Sequence, residues 1–113
     1  MKLLTAELRR KLPPLYGQDG KGGEAVVFAR YFTPDSSWTW HVLEGSEEDG
    51  DFVFFGLVDG QEREFGYFRL SELQSARGPL GLAIERDRYW RPKKLKEIAP
   101  EMFASPQGAG GAQ

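Results

Sequence analysis

Leu4, Leu8 and Leu12 recur at a spacing that lines one side of a helix near the N-terminus. Thr5 is placed to cap it, Arg9, Arg10 and Lys11 suit its C-terminal dipole, and Pro13-Pro14 stops it. GQDGKGG (17–23) reads as a flexible loop. From residue 25 the pattern changes to that of strands. AVVFARYF (25–32) is dominated by β-branched and aromatic residues. A TPDSS turn built on Pro34 and Asp35 leads to SWTWHVLE (37–44). SEEDG connects to DFVFFGLV (51–58), and Asp59-Gly60 signals a two-residue hairpin into QEREFGYFRL (61–70). Strands joined by such short turns describe an antiparallel meander. Ser71 with Gln74 predicts a capped second helix closed by Gly78-Pro79. LAIERDRYW (82–90) reads as a fifth strand broken before Pro92, and Leu95, Ile98 and Met102 return at helical spacing, interrupted by Pro100. The expected fold is α+β: a meander of four to five strands, a short helix before it and one or two short helices after. Residues 1–103 make one domain, and the Gly/Ala-rich tail 104–113 is expected to be disordered.

Alternation along the second strand sends Trp38, Trp40 and Val42 to one side and Thr39, His41 and Leu43 to the other. The third strand is apolar on both sides, with Phe52, Phe54 and Val58 against Val53, Phe55 and Leu57. It is therefore covered twice, or one side is an open apolar platform. Trp38 and Trp40 accordingly have two readings: core beneath the N-terminal helix, or part of a stacking surface of the kind that binds single strands.

Composition narrows the classes. The chain has 113 residues, 40% hydrophobic and 28% charged, enough for one core. Eight Phe, four Tyr and three Trp are a heavy aromatic content for this length. The absence of cysteine excludes disulfides and thiolate metal sites and suits a reducing compartment, so a cytoplasmic location is expected. No apolar run approaches the roughly 18 residues of a membrane span. A net charge of −2 supplies no general attraction to polyanions.

The local charge pattern says more. ERDRYWRPKKLK (85–96) interleaves Arg86, Arg88, Arg91, Lys93, Lys94 and Lys96 with Tyr89 and Trp90. Cations contact phosphates and rings stack on bases, so this is a candidate nucleic-acid surface, read otherwise as a charged, solvated edge strand. Arg86, Arg88, Arg91, Lys93 and Lys94 would hold phosphate, and Tyr89, Trp90 and Trp38 or Trp40 would stack. The acidic run Glu44 to Asp51 reads as a solvated connection without EF-hand spacing, or as a counter-charge for the basic segment of a neighbouring copy. GQDGKGG lacks the residue order of a phosphate loop. His41 is the single histidine, and Asp35 lies near it in sequence without a supporting nucleophile or ligand set. The Glu62/Glu64 and Glu85/Asp87 pairs are ordinary on solvated strands. No catalytic residue, cofactor or metal is expected.

LPPLYGQ (12–18), YFTPDSSWTW (31–40), FFGLVDG (54–60), GYFRLSEL (66–73), RGPLGLAIERDRYW (77–90) and RPKKL (91–95) together resemble a bacterial family of unknown function, DUF2958, over about residues 1–98. The resemblance implies a short, single-domain protein, often encoded on plasmids and other mobile elements beside replication or conjugation genes. It brings no activity, cofactor or catalytic residue. The expected function is therefore a non-catalytic binding module that contacts single-stranded nucleic acid or a nucleic-acid-processing complex. The alternative is a protein-interaction module, self-associating or not, without nucleic-acid contact.

Overall fold

The computed structural model describes residues 1–103, and the disorder expected for 104–113 falls outside them. The architecture is α+β. Helix α1 (Ala6–Lys11) is followed by a 3-10 turn (Gly22–Glu24) and strands β1 (Val26–Val27), β2 (Ala29–Phe32), β3 (Thr39–Glu48), β4 (Asp51–Asp59) and β5 (Arg63–Arg69). Then come α2 (Leu70–Ser75), β6 (Glu85–Arg86), β7 (Lys93–Lys94), α3 (Leu95–Ile98) and a 3-10 turn (Pro100–Met102). Five antiparallel strands form the main sheet in the order β5-β4-β3-β2-β6, and β1 pairs with β7 in a separate two-stranded ribbon.

Local chemistry explains most boundaries. Thr5 Oγ1 accepts the Leu8 N–H at 3.1 Å, which caps α1 as its sequence predicts. The cap of α2 differs from expectation. Glu72 accepts the Arg69 N–H at 2.8 Å, while Ser71 donates its N–H and hydroxyl to Asp51. The expected strand 25–32 is broken at Phe28, so its first half leaves the main sheet for β7. β3 runs four residues past the predicted end, and Asp49-Gly50, both at positive φ, make the two-residue turn into β4. Asp59 pairs with Arg63, so the connection at Asp59-Gly60 is a three-residue loop. The loop 17–23 is tied down: the Gln18 amide donates to the carbonyls of Val26 and Leu43, and its oxygen accepts the Val26 N–H.

Both sides of β3 and β4 are covered. On one side Leu3, Leu4, Leu8 and Leu12 pack over Ala29, Tyr31, Val42, Phe52, Phe54 and Phe68. On the other, Ala25, Val27, Leu95 and Ala99 enclose Leu43 and Leu57, with Trp90 and Phe103 at the margin. The register shifts by one residue between Val42 and Glu44. Glu44 therefore sits opposite Phe55 on the second side, where its two carboxylate oxygens accept the N–H groups of Tyr16 and Gln18 at 2.8 and 2.9 Å.

Two buried polar groups yield stability predictions. The Tyr31 hydroxyl donates to the Leu3 carbonyl at 2.7 Å inside the first core, and burial pushes it above the ordinary phenol range. Tyr31→Phe strands that carbonyl and is expected to cost about 1–2 kcal/mol in urea denaturation. His41 is buried, with its ring 5.9 Å from that of Trp90, and Nδ1 finds no partner among the described residues. Burial first, and then the Arg30 guanidinium, depress its pKa. The unfolded chain consequently takes up a proton near pH 6.5 that the folded chain refuses, and stability falls as pH drops through that value. Melting temperature measured across this window should fall in the native chain and change much less in His41→Gln; equal slopes would contradict the assignment.

Candidate nucleic-acid interface

The basic segment follows a different path from the single strand its alternation predicts. β6 contains only Glu85 and Arg86, paired with Phe32 and Tyr31 of β2. Asp87 then ends the pairing. Its N–H still donates to the Arg30 carbonyl, its carboxylate meets Arg30 at 3.3 Å, and its Oδ1 accepts the Tyr89 N–H at 3.0 Å. The chain turns at this point, so Arg86 and Arg88 do not share a strand face. Pro92 and β7 carry it across to the second side of the sheet.

The candidate residues separate accordingly. Tyr89 is 86% exposed at the tip of the turn. Trp90 points inward: its Nε1–H donates to the Val27 carbonyl at 3.0 Å, and the Lys93 ammonium lies 4.6 Å from the ring centre. It anchors the turn and offers no free stacking face beneath Lys93. Lys94 is neutralised by Glu24 at 2.8 Å, and Lys96 by the other oxygen of the same carboxylate. These two ammonium groups hold Glu24 down to about 2, and Lys94 is raised in return. Among the described residues, Arg86, Arg88, Arg91 and Lys93 form no ion pair. Arg86 instead donates Nε–H to the Lys2 carbonyl at 3.2 Å.

Trp38 and Trp40 do not join this surface. Their rings lie 5.9 Å apart. Trp40 is half-buried against the first core, and its register partner Tyr31, fully buried, separates it from Arg86. Trp38 is 40% exposed, but the hollow beside it is lined by Val58, Gln61, Glu62 and Glu64, whose carboxylates repel phosphate.

Two groups absent from the sequence reading do join it. Arg30 lies 4.8 Å over the Phe32 ring, and both line a hollow of about 230 Å3 with Met1, Arg88 and Tyr89. On the other side of Arg86, Lys11, Phe28 and Trp90 border a groove of about 190 Å3. The legible signal would have been the pairing of residue 32 with residue 85, which needs the register. Asp35, suggested as a partner for His41, is occupied elsewhere: its Oδ2 accepts the N–H groups of Leu80 and Leu82. A side chain at Gly78 would collide with its Oδ1. No group of three or more His, Asp or Glu able to hold a metal occurs among the described residues, and no helix among them is long and apolar enough to cross a membrane.

No curated protein and no solved structure matches the chain. The family model described as a protein of unknown function (DUF2958) matches residues 3–99, the whole of the sheet and its covering helices up to α3. The chain belongs to the DUF2958 family of proteins of unknown function.

Proposed function

We propose that the protein is a non-catalytic binding module whose β6 edge contacts single-stranded nucleic acid. The carrying observation is the turn 86–91, where Arg86 and Arg88 line the hollow beside the exposed ring of Tyr89 and Arg91 follows close in the chain, none of the three ion-paired among the described residues. Guanidinium groups track a phosphate backbone, and a phenol ring free on both faces stacks on any base. Arg30 over Phe32 lines the hollow beside Tyr89 and supplies a further planar platform. Of the nearby carboxylates, Asp87 is bridged to Arg30 and Glu7 to Lys11, which leaves Glu85, in no ion pair among the described residues, as the one in the hollow that opposes phosphate against Arg86, Arg88 and Arg91. The mobile-element setting that the family resemblance implies supports the same reading by association. A protein-interaction role is favoured instead by the opposite edge of the sheet.

Titrating a labelled single-stranded oligonucleotide into the full chain tests this by anisotropy. Binding should weaken with salt, and Arg88→Gln or Arg91→Gln should each flatten the slope of log K against log salt by about 0.7. Tyr89→Ala should weaken binding roughly tenfold. Lys94→Gln and Trp38→Phe should change little. Absence of binding at low salt, or equal losses from Lys94→Gln and Arg88→Gln, would remove the proposal.

A further inference from the structure

β5 is the outermost strand on the side of the sheet opposite β6. Its seven residues pair with β4 alone, and among the described residues no backbone group of residues 64–68 is hydrogen-bonded outside that ladder. Where a Cβ would stand at Gly66 there is open space, so the face of the strand at its middle is uncovered as well. A strand edge in this state is a template for another extended segment.

Rings stand beside it. Phe65 and Tyr67 are 39% and 54% exposed, and both pack on Phe55, at 6.0 and 4.9 Å between centroids. Tyr16 is 63% exposed and lines one cleft with Tyr67, and its nearby hydroxyl pushes the Tyr67 phenol up to about 12. Tyr16 occupies this place at a cost, since its φ of 71° is a left-handed conformation that suits glycine. The buried Glu44 carboxylate holds it there through the N–H groups of Tyr16 and Gln18. The core gains nothing from a ring this exposed. Its backbone is held so that the ring stands on the surface.

Charge selects the occupant. Tyr16, Tyr67, Phe68, Glu48, Arg69 and Glu72 border a cleft of about 330 Å3. Arg69 already faces Asp51, whereas Glu48 and Glu72 meet no cation among the described residues. Rings with unbalanced carboxylates attract an ammonium or guanidinium. Phosphate is repelled there, and a second copy pairing antiparallel through its own β5 about Gly66 would set Arg63, already bridged to Asp59 and Glu101, directly opposite Arg69. We infer that the β5 edge takes up an extended basic peptide segment of a partner protein, pairing along residues 64–68 and seating one lysine or arginine between Tyr16, Tyr67, Glu48 and Glu72. This surface is separate from the nucleic-acid reading and does not rest on it.

The probe is a labelled peptide in which valine alternates with lysine, titrated into the full chain by anisotropy. Tyr16→Gly is the informative variant, because it removes the ring and also relieves the left-handed backbone. It should leave the melting temperature unchanged or raised while weakening peptide binding about tenfold. Glu48→Gln should weaken it about threefold, a peptide alternating valine with glutamate should not bind, and a central proline should abolish pairing. Oligonucleotide binding should be unaffected by Tyr16→Gly, so failure here and failure of the nucleic-acid reading are distinguishable. Peptide affinity unchanged in Tyr16→Gly, equal affinity for the acidic peptide, or no binding at millimolar peptide would overturn the proposal. So would a dimer that dissociates in Tyr16→Gly without binding the peptide, which would give the edge to a second copy.

Discussion

The one-residue register shift at Leu43 decides which side chain meets which layer. Up to Val42 the alternation of β3 is regular, with Trp40 and Val42 on the α1 side and His41 on the other. Without the shift, Glu44 would follow Val42 into the layer of Leu12 and Phe54, where a carboxylate would find no donor. The extra residue sends Leu43 and Glu44 to the second side together. Leu43 joins the core of Leu57 and Leu95, and Glu44 meets two backbone N–H groups of the loop 16–18. Gly45 then faces the first side, where the Phe52 ring and Leu12 leave no room for a side chain. The loop that presents Tyr16 thus depends on a carboxylate that only the bulge delivers.

Covering both sides of β3 and β4 uses up the short helices, and this determines what stays exposed. α1 and the residues before it occupy the first side. α3, β1 and β7 occupy the middle of the second. The two margins of the sheet are left, β6 with its turn and β5 with its rings, and they carry opposite charge.

Much of this was legible in the sequence. The leucine spacing gave α1 and Thr5 gave its cap, while the double apolar pattern of residues 51–58 left open a strand covered twice or an apolar platform, between which the two cores decide for coverage. The length of β6 was not legible, because Asp87 ends the pairing through contacts with Arg30, 57 residues away. The same distance in sequence hid the division of the cations. Lys93 and Lys94 are neighbours of like type, yet only the latter meets Glu24, since β1–β7 pairing brings the ribbon beside the 3-10 turn. Trp90 looks like a stacking residue from its basic neighbours, whereas its indole N–H satisfies a carbonyl of β1. Gln18, surrounded by glycines, carried no local sign that it would be buried, since the three hydrogen bonds of its amide go to Val26 of β1 and Leu43 of β3.

The separation of the two margins has a physical consequence. Four inter-strand steps lie between β5 and β6, roughly 19 Å at the usual strand spacing, which is beyond the screening length at physiological salt. Carboxylates at one margin therefore neither neutralise arginines at the other nor lower their attraction for phosphate. A polyanion along β6 and a basic segment along β5 would meet different strands, different rings and different solvent. β3 and β4 between them are packed by apolar side chains on both sides and β2 on the first side, and the hollow beside Tyr89 and the cleft beside Tyr16 have no lining residue in common. The strand order thus sets two unlike surfaces on opposite margins of one sheet, too far apart for the charges of one to be felt directly at the other.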